Sequence, residues 1–113
     1  ELWLIDHGAS LYFHHNWDSS ATQMKSTFPL IKDHVLLKDA ALLKEADEYG
    51  REVLSDQVIA EIIEALPAEW LAYEETAGET EETRKVYRDF LTYRLNHSDL
   101  FVNQAINARA AII

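Results

Sequence analysis

The sequence contains no cysteine at all. That excludes a disulfide framework and any thiolate metal site, and it fits a cytoplasmic chain. Glycine (3) and proline (2) are scarce among the 113 residues, so few positions force a turn or interrupt a helix. No apolar run is long enough to span a bilayer, and no signal peptide is visible. Basic residues are outnumbered two to one, 10 against 20 acidic, for a formal net charge of -10. Such a surface repels phosphate backbones and anionic lipid, which argues against direct nucleic-acid or membrane binding. The first residue is Glu1 rather than Met, as expected of a piece of a longer chain.

What is present suits one ordinary globular unit spanning 1–113, with 48% hydrophobic residues. Residues 2–5 and 9–14 read as short strands, because branched and aromatic residues favour strand, and Asp6–Gly8 supplies the turn between them. Residues 16–38 read as a connecting loop, with at most a single helical turn, followed by the compact apolar segment FPLIKDHVLL. From 39 onward the apolar period changes from two to 3.6. Asp39 is placed to cap a helix with Ala40, Leu43, Ala46 and Val53 on its inner side, and Ser55 to cap a second helix striped by Val58, Ile59, Ile62, Ile63 and Leu66. PAEWLAY, starting at Pro67, reads as a short helix anchored by Trp70 and Leu71. The acidic stretch from Glu74 to Glu82 reads as a solvated loop. A long helix then starts near Thr80 and buries Val86, Tyr87, Phe90, Leu91 and Leu95. Ser98 caps a last helix striped by Phe101, Val102, Ala105 and Ile106. The expected fold class is therefore mainly α: a short N-terminal β-hairpin over 1–15 followed by a helical bundle over 39–113.

The sharpest chemical feature is Asp6-His7-Gly8 between two apolar runs. The simple reading is a hairpin turn. The functional one is a carboxylate at a strand end, followed by a glycine that lets the backbone turn. Phosphotransferases use that arrangement to hold magnesium against ATP phosphates. His7, His14, His15 and Asp18 also offer nitrogen and oxygen donors for zinc or manganese, but adjacent strand residues point to opposite faces and the spacing matches no helical metal motif. His34 reads as a fastener of its loop to the bundle, and His97 as a surface or capping residue. Trp3 and Trp70 read as core anchors. Arg84, Lys85, Arg88 and Arg94 give the long helix a basic side for pairing with glutamates.

WLIDHGASLYFHH resembles the corresponding stretch of HipA-like kinases, in which Ile-Asp-His-Gly replaces Asp-Phe-Gly. The likeness continues through FPLIKDHVLL, PAEWL and YRDFLTYRLNHSDLFVNQAINAR, and so extends along essentially the whole chain. It implies the C-terminal part of a protein-kinase-like C-lobe, with ATP and magnesium as cofactors. It also implies Asp6 as the catalytic metal ligand, with Asp6, His7 and Gly8 forming the cofactor-binding element. His7 would pack beneath the site. The implied partners are the rest of the parent kinase chain and a protein or other hydroxyl acceptor. No Gly-rich phosphate loop, strand lysine or catalytic-loop Asp precedes Asp6, so this polypeptide alone is expected to be inactive. The competing reading is a non-enzymatic helical interaction module whose acidic surface engages a basic partner.

Overall fold

The computed structural model describes residues 3, 10, 11, 13, 17–72 and 80–113. Among these the chain is mainly helical, and no helix is long and apolar enough to cross a membrane. The expected hairpin over 1–15 lies almost wholly outside the described residues, as does most of the acidic stretch. The few positions described in the hairpin region carry no strand.

Among the described residues six α-helices follow one another: α1 (Ser20–Gln23), α2 (Leu43–Val53), α3 (Asp56–Glu64), α4 (Ala68–Leu71), α5 (Thr80–Asn96) and α6 (Asp99–Ile112). The long helices α5 and α6 are the two to which the other elements attach. Helices α1, α3 and α4 pack on α5, while α2 and the segment before it pack on α6. Ser55 caps α3 as expected, its Oγ accepting the backbone N–H of Val58 at 3.3 Å. Ile59 and Ile63 are buried on that helix, whereas Ile62, on the edge of the same stripe, stays half exposed.

Several expectations are corrected. The connector is more ordered than a loop: it holds the 3-10 turn Trp17–Ser19, then α1, then 3-10 helices Pro29–Asp33 and Leu37–Asp39. Pro29 opens its turn, where the missing N–H costs nothing. Asp39 caps no helix. It closes the Leu37–Asp39 turn, and α2 begins only at Leu43, with Leu42 at the capping position and no side-chain cap. Tertiary packing explains the difference. Leu37 is buried, and Arg109 of α6 donates from Nε to the Lys38 carbonyl at 3.2 Å, so the segment is drawn onto α6 before the helix can start. Trp70 is not an anchor. It is 74% exposed on α4, and Leu71 beside it is buried instead. Trp3 is likewise 74% exposed. Ser98 does precede α6 and is buried, but its hydroxyl makes no capping bond; its carbonyl accepts from Val102 at 2.8 Å.

Candidate functional site

Asp6, His7 and Gly8, the sequence's principal site residues, lie outside the described residues, as do His14 and His15. What is described is the ground onto which that segment leads. Phe13 is fully buried. Its ring centroid lies 4.7 Å from that of Phe90, 5.0 Å from Trp17 and 5.6 Å from Tyr87, in tilted and edge-on arrangements favoured by aromatic quadrupoles. Trp17 in turn meets Tyr87 edge-on at 5.4 Å. The chain just beyond the Asp6–Gly8 element is thereby fastened to the middle of α5. Burial in this cluster raises the Tyr87 phenol above its ordinary range, because the phenolate would lose hydration there.

The basic residues of α5 divide into two kinds. Arg88 approaches Glu64 at 3.6 Å as expected, whereas Lys85 pairs with an aspartate, Asp89, rather than a glutamate. Arg84 pairs with Glu81 as expected but is also tied to main chain, and Arg94 is tied to main chain. Arg84 is buried; it donates to the carbonyl of Ile63 and, at 2.8 Å, to that of Leu66, while Glu81 stands 3.3 Å from its Nε. Arg94 donates to the Ser26 carbonyl, and its guanidinium lies 4.5 Å above the centre of the Phe101 ring. His34 does not fasten its loop to the bundle: it is exposed, and its Nδ1 accepts the N–H of Leu36 two residues on. His97 is exposed and stacks on Tyr93 at 4.0 Å, a surface role in line with the sequence reading. Asp18 is exposed, and no group of three metal-binding side chains gathers among the described residues.

One concavity was not foreseen. A cavity of about 580 Å³ opens between α2 and α6, walled by Leu43, Gly50, Phe28, Ile31, Leu95 and Phe101, with Asp47, Arg94 and Ser98 at its polar edges. Its walls come from three separate stretches of chain, 28–31, 43–50 and 94–105, so no local pattern announces it. The one local sign is Gly50, a glycine inside a helix.

Comparison with protein-family models, curated proteins and solved structures finds no match to this chain.

Proposed function

We propose that the chain is the C-terminal part of the C-lobe of a HipA-like kinase, which transfers phosphate from ATP to a protein or other hydroxyl acceptor. The reading is carried by Ile5-Asp6-His7-Gly8, set between apolar runs and resembling the metal-binding element of that family. It is supported by the buried Phe13, which ties the chain just after this element to a helical scaffold. In the proposed site Asp6 sits at the turn of a short hairpin, Gly8 lets the backbone reverse, and His7 packs beneath without reacting. A carboxylate oxygen is the hard donor that magnesium selects. When bound, magnesium offsets the charge of the ATP phosphates. The helices from α2 onward hold the element in position, and the remaining parts of the catalytic machinery belong to the rest of the parent kinase. On this reading the parent works in the cytoplasm.

The test is Asp6→Asn in the parent kinase. Asparagine keeps the size and turn preference of aspartate but removes the anionic ligand. Phosphorylation of the acceptor should fall a hundredfold or more, a loss on the order of 3–4 kcal/mol. The melting temperature should stay that of the parent. Equal rates for parent and variant would remove Asp6 from the site and with it the kinase reading.

A further inference from the structure

Helix α2 is strongly two-faced in sequence, yet it buries none of its residues. At helical spacing Leu42, Ala46, Tyr49 and Val53 form one row, directly beside Leu43 and Gly50, which line the cavity against α6. Only the cavity edge of this face meets α6. Leu42 (66%), Tyr49 (67%) and Val53 (46%) remain open to solvent. Gly50 adds an independent sign. A Cβ at this position would meet nothing within 4 Å, so no contact among the described residues requires glycine. A glycine inside a helix nonetheless costs about 1 kcal/mol relative to alanine. Its missing side chain deepens the cavity floor.

The charges around this face select the occupant. Lys44 faces Glu48 at 4.0 Å and Arg51 pairs with Asp47 at 3.1 Å. Glu45 and Glu52 flank Tyr49 at the i−4 and i+3 positions, are exposed, and have no ion-pair partner among the described residues. A second copy would set like charges against each other, on chains that each carry a net charge of -10. An anionic membrane surface would be repelled in the same way.

We infer that α2 and the cavity beside it form a docking groove for a basic amphipathic helix of a protein partner. Apolar side chains of the guest at i, i+3, i+4 and i+7 enter the cavity over Gly50 and cover Leu42, Tyr49 and Val53. Lysines or arginines along one flank meet Glu45 and Glu52. The eleven residues of α2 offer a track of about 16 Å, some three turns of a guest helix. The inference stands independently of the phosphotransfer reading.

The probe is a fluorescent synthetic peptide of about 14 residues, roughly 21 Å as a helix. It carries leucine at i, i+3, i+4 and i+7 and lysine elsewhere, and a scrambled peptide of the same composition is the control. Binding to the full 1–113 chain is read by anisotropy. Saturable binding of the patterned peptide is expected, much weaker binding of the scrambled one, and weakening at high salt. Tyr49→Lys places a positive charge in the exposed row, and Gly50→Leu fills the cavity floor. Each should weaken binding about tenfold or more with the helical circular dichroism retained. If Gly50→Leu does not fold, Tyr49→Lys decides alone, because its site is exposed. Equal affinity for both peptides, or wild-type affinity in Tyr49→Lys, would overturn the proposal. So would a dimer in sedimentation that Tyr49→Lys dissociates, which would make a second copy the occupant.

Discussion

Arg84 reaches from α5 to the end of α3, where its guanidinium donates at 2.8 Å to the carbonyl of Leu66 and also to that of Ile63. The last carbonyls of a helix have no partner within it, and the C-terminal end carries partial negative charge. A buried, permanently charged fork answers both needs at once. The sequence suggests a surface arginine among glutamates. In the fold it is the clasp between two helices.

Replacing this clasp should be costly. Arg84→Met keeps much of the apolar stem but takes the guanidinium donor from the Leu66 carbonyl and one of two donors from that of Ile63, which keeps the Leu66 N–H at 3.2 Å, and should destabilise the chain by about 2–4 kcal/mol. Arg84→Lys should recover only part of that, since one ammonium lacks the fork geometry. Urea denaturation of the three proteins gives the comparison. Wild-type stability in Arg84→Met would mean the clasp contributes nothing.

Phe13 carries the contact between the N-terminal segment and α5. Phe13→Ala should cost about 3–5 kcal/mol through lost burial and the cavity left behind. Emission from Trp17, whose ring centroid lies 5.0 Å from that of Phe13, should shift as its surroundings open. Phe28, exposed at the mouth of the α2–α6 cavity, provides the contrast. Phe28→Ala should cost far less, and comparable losses at both positions would contradict the burial pattern.

Tyr87 predicts an alkaline limb in stability. Its folded-state pKa is raised by desolvation, while the unfolded phenol titrates near 10. Below the unfolded value both states are protonated and the full stability is present. As pH rises through the interval up to the folded value, only the unfolded state loses its proton, so stability falls. Phenolate absorbance of the folded chain should include a late-titrating component from Tyr87. Tyr87→Phe should remove that late step and flatten the pH dependence of unfolding in this interval.

The 1–113 chain by itself should turn over no ATP, because phosphoryl transfer requires a Gly-rich phosphate loop and an ATP-holding lysine, neither of which precedes Asp6 in this sequence. Release of inorganic phosphate at the level of a buffer blank is the expected result. Steady turnover abolished by Asp6→Asn would show that these residues suffice for catalysis and would refute the assignment to a kinase part.

Local pattern determined much of the helical fold. Ser55 and the Ile59/Ile63 stripe mark α3, Thr80 opens α5, and Ser98 precedes α6, because caps and 3.6-residue spacing are properties of a few neighbouring residues. The candidate chemical element, Asp6-His7-Gly8, is likewise a feature of sequence, and its geometry lies outside the described residues. What the pattern could not decide is which apolar residues become covered. Trp70 and Tyr49 look as fit for burial as Leu71 and Phe90, yet a stripe is buried only where another element arrives to cover it. Those elements come from far along the chain: Arg84 meets Ile63 across 21 positions, and the Phe28 N–H meets Gln104 across 76. Asp39 lost its helix to a packing contact with α6 of the same long-range kind. The cavity over Gly50 arose in the same way. Periodicity sets the face of a helix, whereas its covering depends on chain closure, which no local window of sequence contains.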